Sequence, residues 1–182
     1  MADPRNARTE ASIKSALLRL MEQKPSALVG VAELAREASV SSSTFYNHYA
    51  GVYDVFSSLV DDFDAGNLSF SNGVRCSDDA SRLEPFCMRL RDAGAYAPLV
   101  TDPGFLPELI KRTNRNRRAL GGMAVDAGLA EQQAQSLDTF QIAGCYAAAM
   151  SLPREADWEP SRHAIDHLLR ARISSLGDKQ MR

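Results

Sequence analysis

Residues Leu34 to Tyr49 read LAREASVSSSTFYNHY, and this stretch decides how the rest of the chain is understood. Leu34, Ala35 and Ala38 fall on one face at helical spacing, and Val40 follows in a break. Phe45 and Tyr49 then share a face four residues apart. Ser41, Ser42 and Ser43 stand between the two apolar sets, where their side-chain oxygens suit the free backbone N–H groups at a helix start. The pattern predicts the end of one short helix, a tight turn and a second short helix of about 41–49. Helix-turn-helix units of this shape set their second helix in the DNA major groove.

Working outward, Ile13, Ala16, Leu17, Leu20 and Met21 give one buried face to a first helix of about Thr9–Gln23, stopped by Lys24-Pro25. The polar residues 1–8, with Arg5 and Arg8, read as a frayed arm. A second helix is expected over about Val31–Ala38, and a longer fourth over about Val52–Ala65, with Val55, Phe56, Leu59, Val60 and Phe63 in register. Residues 66–77, rich in Gly, Ser and Asn, mark a domain boundary, giving a head of 1–65 and a second domain of 66–182. Further helices are expected at about 78–95, 104–119, 123–128, 130–152 and 160–175, with Pro98 and Pro103 breaking the stretch 96–103. No strand alternation and no repeat is found, so the fold class is all-α, with about nine helices.

At Val31, Leu34, Ala35, Ala38, Val40, Ser41, and above all Ser43-Thr44-Phe45-Tyr46 with His48-Tyr49, the chain resembles the DNA-binding segment of the TetR family of bacterial repressors. The resemblance covers roughly residues 9–60. It implies a homodimeric, cytoplasmic regulator with a helical second domain that binds an effector. It also implies that Thr44, Tyr46 and His48 meet DNA, often its backbone. From the residues themselves, Ser41, Ser42, Ser43 and Thr44 offer hydroxyls to phosphates, while Asn47 suits an adenine edge. Ser42, Thr44, Tyr46, Asn47 and His48 are expected to face outward.

Departures from the family pattern matter as much. Ser39 occupies a turn position often held by glycine, and Gly30 one where threonine often caps. Ser42 and Val52 stand where arginine and lysine are common, so the recognition helix has no cation. Each phosphate contact that is missing lowers the salt slope of binding by about 0.9. Residues 1–50 carry Arg5, Arg8, Lys14, Arg19, Lys24 and Arg36 against Asp3, Glu10, Glu22, Glu33 and Glu37, close to balance.

In the second domain, Ala143, Gly144, Ala147 and Ala148 let another helix approach, with Leu137, Phe140 and Met150 for bulk. Ile165, Leu168, Leu169, Ile173 and Leu176 form an apolar stripe on the last helix. Two such hairpins can join as a four-helix dimer interface, centred on Ala143, Ala147, Met150, Ile165, Leu168 and Leu169, or can fill the core of one chain. Phe86, Met88, Tyr96, Phe105, Leu109, Met123, Phe140 and Tyr146 are candidates to line an apolar effector pocket, or plain core. The five cations between Lys111 and Arg118 read as a solvated helix end, with DNA or an anionic effector as the alternative.

The totals bound the function. The chain has 182 residues, 45 % hydrophobic and 24 % charged, with a net charge of −2, which argues against a general nucleic-acid coat. Cys76, Cys87 and Cys145 form neither a disulfide framework nor a zinc motif, and fit a reducing cytoplasm. No leader is read at the start, and Ile142–Pro153 is too short to span a bilayer, so no membrane role is expected. No nucleophile elbow, phosphate loop or paired carboxylates are found, so no enzyme and no cofactor is expected. His163 and His167 share a helical face, but no metal site is expected there. The reading is a DNA-binding repressor released by a small molecule. The alternative is a dimeric helical protein with impaired DNA reading that acts by protein–protein association.

Overall fold

A computed structural model describes residues 4–65, 86–120, 130–165 and 167–168, and among these all regular structure is helical. The helices are α1 (Pro4–Met21), α2 (Val31–Glu37), α3 (Ser42–Tyr46), α4 (Val52–Ala65), α5 (Phe86–Arg91), α6 (Ala97–Thr101), α7 (Phe105–Leu120) and α8 (Glu131–Ser151). Short 3-10 turns lie at Ser26–Leu28 and Gly94–Tyr96, and residues 159–165 and 167–168 are also helical. The fold is all-α, as the periodicity indicates. No described helix is long and apolar enough to cross a membrane. The helix expected at 123–128, the boundary segment 66–77, Met123, Leu169 and Cys76 lie outside the described residues.

Two expectations need correction. Residues 4–8 are helical rather than frayed, because Pro4 opens α1 with a backbone angle already suited to a first turn and no N–H to lose. The stretch 96–103 is not broken by Pro98. That proline sits in the first turn of α6, where it is tolerated for the same reason.

The chain divides into two compact units. The first is Met1–Ala65 with Gly94–Glu108, and the second is Gly66–Ala93 with Leu109–Arg182. In the first, Ile13, Ala16 and Leu17 of α1 are fully buried with Leu34 of α2, Phe45 of α3, and Val55 and Val60 of α4. Leu99, Val100 and Phe105 belong to the same unit and are equally buried. Phe63 meets Tyr96 and Phe105 edge to face, at centroid distances of 5.8 and 5.5 Å. Burying each large side chain contributes about 1.5–3 kcal/mol, so this core outweighs any surface ion pair.

Asp102 fixes the return of residues 94–108. Its carboxylate is buried, and it accepts from Ser26 N at 2.7 Å and Gly104 N at 2.8 Å. The second bond caps the start of α7. Gly104 sits in close approach: a Cβ there would lie 3.1 Å from Asp102 Oδ1 and 3.3 Å from Phe56 Cζ, so either side chain would have to shift by a few tenths of an ångström. Buried Glu108, one turn later, accepts from the Tyr53 hydroxyl and from Ser57 Oγ at 3.3 Å.

In the second unit α5 packs on α8, with Phe86, Cys87 and Leu90 buried on one and Ile142, Cys145 and Ala149 on the other. The last carbonyls of a helix have no partner within it. Here Arg91 supplies one. Its guanidinium donates to Ala149 O (3.2 Å), Pro153 O (2.7 Å), Arg154 O (2.9 Å) and Ala156 O (3.0 Å). It also lies 5.4 Å from the centroid of buried Trp158.

Replacing Asp102 with alanine leaves two backbone donors without a partner, so Asp102→Ala is expected to cost about 2 kcal/mol. Urea unfolding of the two proteins checks it, and a change below a few tenths would contradict the role given to this carboxylate.

Candidate nucleic-acid interface

The segment 30–49 is built from backbone constraints upward. Gly30 caps α2 in extended conformation (φ −90, ψ 152) with no side-chain bond. Leu34, Ala35 and Ala38 turn inward, and α2 packs on α1. Ser12 Oγ of α1 donates to Ala38 O at 3.2 Å, and Arg19 Nη2 to Glu37 O at 3.3 Å, so α1 also closes the end of α2. The chain then reverses at Ser39, a non-glycine residue with φ +57. Val40 N donates to Ala35 O at 2.9 Å and Ser39 N to Arg36 O at 3.1 Å, the paired bonds of a Schellman cap. The left-handed conformation costs serine roughly 1 kcal/mol more than glycine.

Ser41 opens α3. Its Oγ accepts from Thr44 N at 3.0 Å and lies 2.8 Å from Thr44 Oγ1. Phe45 is fully buried, with Tyr46 edge-on at 5.6 Å and Tyr49 tilted at 6.1 Å. What remains outside is a face of Ser41, Ser42, Ser43, Tyr46 (59 % exposed) and Asn47. The helix is shorter than expected, ending at Tyr46 with Asn47 as its C-cap.

Two of the expected outward residues behave differently. Thr44 is only half-exposed, and its hydroxyl is engaged by Ser41. His48 does not face outward: its side chain is 10 % exposed and its Nδ1 lies 3.3 Å from Glu10 Oε1 of α1. The partner is 38 residues away, so no local pattern announces it.

Three of the head's cations are taken up by carboxylates. Lys14 Nζ lies 2.6 Å from Asp62, Arg19 Nε 2.8 Å from Glu37 and Lys24 Nζ 2.7 Å from Glu33. Pairs at or near the surface, as these are, add about 0–1 kcal/mol each. They do lower the positive potential that the head offers to an anion. Arg8 and Arg36 are exposed and belong to none of these pairs. The hydrogen bond from Lys24 holds the Glu33 carboxyl below its ordinary range. Burial pushes the Tyr49 hydroxyl up, against the opposing pull of Lys14 and a hydrogen bond with Ser58.

The expected effector-pocket residues are divided between the two units. Tyr96 and Phe105 pack on Phe63 in the first. Phe86, Met88, Leu109, Phe140 and Tyr146 fall in the second, where Phe86 and Leu109 are buried and Met88 and Tyr146 half-buried. Phe140 is 69 % exposed and so lines no interior formed by the described residues. Of the expected interface residues, Ala147 and Leu168 are exposed, while Ala143, Met150 and Ile165 are half-buried. Gly144 is exposed as well, so Phe140, Gly144 and Ala147 form one open stripe along α8, opposite buried Ile142, Cys145 and Ala149. In the basic run Lys111 and Arg115 are exposed but Arg112 is buried, so it is not a uniformly solvated helix end. His163 Nε2 lies 3.7 Å from Glu159, and among the described residues no three metal-ligating side chains gather.

Ser39→Gly is expected to stabilise the protein by up to about 1 kcal/mol through relief of the left-handed serine. A thermal melt checks it, and an unchanged or lower Tm would contradict the strain. Glu33 titrates lower in the folded chain, so its contribution is present above its ordinary value of 4.5 and is lost as pH falls through the depressed one. The destabilisation caused by Lys24→Ala is therefore expected at neutral pH and absent in acid. A penalty that does not shrink as pH falls below 4.5 would break this link.

No family model matches the chain, and no curated protein matches it.

Proposed function

We propose that the chain is a dimeric transcriptional regulator of the TetR kind, a repressor that binds a palindromic operator in double-stranded DNA and is released by a small-molecule effector. The observation that carries this reading is the face left open on α3. Phe45 is buried completely, and around it Ser42, Ser43, Tyr46 and Asn47 point to solvent on a helix that follows α2 through a tight left-handed turn. A core aromatic with a polar outer face is what a helix-turn-helix needs to lie in a major groove while its inner side stays packed.

In this reading α3 is the recognition helix of the head. Asn47 pairs with an adenine edge, and Tyr46 with the serine hydroxyls holds the phosphates on either side. Two half-sites one turn apart need two heads, and a second copy is expected to cover the open stripe of Phe140, Gly144 and Ala147 together with Leu168. The protein acts in the cytoplasm, without cofactor or turnover. An effector held in the second unit would reset the separation of the two heads through α4, and DNA and effector then weaken each other's binding by the same factor.

One observation favours the alternative, association with a protein without DNA reading. Lys14, Arg19 and Lys24 are each engaged by a carboxylate, and α3 itself has no cation. The two readings separate in a mobility-shift experiment on DNA from immediately around the protein's own coding region. The repressor reading expects a specific shift, lost at least tenfold in affinity in Tyr46→Ala and Asn47→Ala, with each variant still dimeric by sedimentation. A folded dimer that shifts none of this DNA would favour the alternative.

A further inference from the structure

The outward residues Tyr46 and Asn47 stand between two inward ones. Phe45, on one side, is fully buried in the core of the first unit. His48, on the other, keeps only 10 % of its side chain exposed and sets Nδ1 3.3 Å from Glu10 Oε1 of α1. An ionised carboxylate can only accept, so Nδ1 carries the hydrogen and donates it. The backbone joins the two anchors, since the N–H groups of His48 and Tyr49 both donate to Phe45 O, each at 3.0 Å. The next residue is held as well. Tyr49 is half-buried and shares a hydrogen bond with Ser58 of α4. One turn along α1 from Glu10, Lys14 meets Asp62 of α4 at 2.6 Å. The chain leaving α3 is thus tied to α1 by His48 and to α4 by Tyr49.

We propose that His48 is a positioning residue of the reading face: through Glu10 it fixes the direction in which Tyr46 and Asn47 leave α3, and it does not itself touch DNA. The inference rests on the DNA-binding reading of α3, and it replaces the DNA contact that the family resemblance implies for this histidine. α3 has five residues. A helix that short has no stability of its own, so its orientation is set by what holds its two ends. Ser41 holds the first end by capping. Phe45 fixes the depth of the helix through apolar burial, which has no preferred direction. A hydrogen bond is directional, so the contact of His48 with Glu10 adds a fixed heading. A carboxylate 3.3 Å from the imidazole also repels any phosphate that approaches the ring. Glu10 itself is 47 % exposed, so it can be replaced without opening the core.

Positioning and contact predict opposite signs for Glu10. The test is fluorescence anisotropy of the full chain on two duplexes, one from immediately around its coding region and one of scrambled sequence. Glu10→Ala is expected to weaken binding to the first duplex about three- to tenfold, the size of one hydrogen bond, and to bind the second no more weakly. Glu10→Gln, whose amide oxygen still accepts from Nδ1, is expected to restore most of the affinity. His48→Ala is expected to match Glu10→Ala, and the double variant to lose no more than either alone. The Glu10 variants decide if His48→Ala does not fold. Glu10→Ala binding the first duplex as well as the unaltered chain, or better, would overturn the proposal, because a phosphate contact gains when a nearby carboxylate is removed. An equal loss on both duplexes, or no recovery in Glu10→Gln, would overturn it too. An unaltered chain that does not prefer the first duplex fails the DNA reading and the proposal with it. A preference that Glu10→Ala leaves intact fails the proposal alone.

Discussion

The reversal at Ser39 is the constraint on which the head depends. With φ at +57 the backbone turns back within two residues of the end of α2, and Val40 closes onto the Ala35 carbonyl. Only after that turn can Ser41 cap α3 and Phe45 reach the interior with Leu34 and Ala35. An extended residue at 39 would forfeit the paired bonds of this cap and lengthen the connection, and Phe45 would lose a burial of about 1.5–3 kcal/mol. A serine that pays about 1 kcal/mol in a left-handed turn is therefore tolerated by a larger gain in the core.

Both units also rely on charged side chains that satisfy backbone groups far away in sequence. Asp102 gathers the N–H groups of Ser26 and Gly104, which brings the 3-10 turn after α1 against the start of α7. Arg91 gathers the carbonyls that follow α8. Neither side chain has a carboxylate or cation as the partner in these bonds. Their role is to supply what a helix end lacks, which explains why a buried aspartate sits comfortably in an otherwise apolar head.

Periodicity made the helices legible because each buries one face. The sets Ile13 to Met21 and Val55 to Phe63 are buried throughout, and Gly30 and Ser41 cap as their types suggest. Polarity misled at residues 4–8, and proline misled at Pro98, since its effect depends on whether it falls inside a helix or in its first turn. Residue patterns were blind to long-range polar pairing. Nothing local connects His48 to Glu10, Asp102 to Ser26 or Arg91 to the carbonyls after α8, and the first of these contacts takes His48 out of the outward face of the candidate interface. Spacing alone also does not tell core from surface on a small-residue helix. α8 therefore carries both buried Ala149 and exposed Phe140, a split that its composition hides.

In the proposed repressor, the α3 face of hydroxyl, amide and phenol groups, with three cations of the head held by Asp62, Glu37 and Glu33, would meet DNA through few ionic contacts. The most direct measurement is the salt dependence of specific binding, followed by fluorescence anisotropy on DNA from the region of the coding sequence. Slopes near −10 accompany many phosphate contacts, and the slope expected for the proposed dimer is no steeper than about −4. A slope near −8 to −10 would contradict the neutral reading face, and no specific binding at any salt would contradict DNA as the partner.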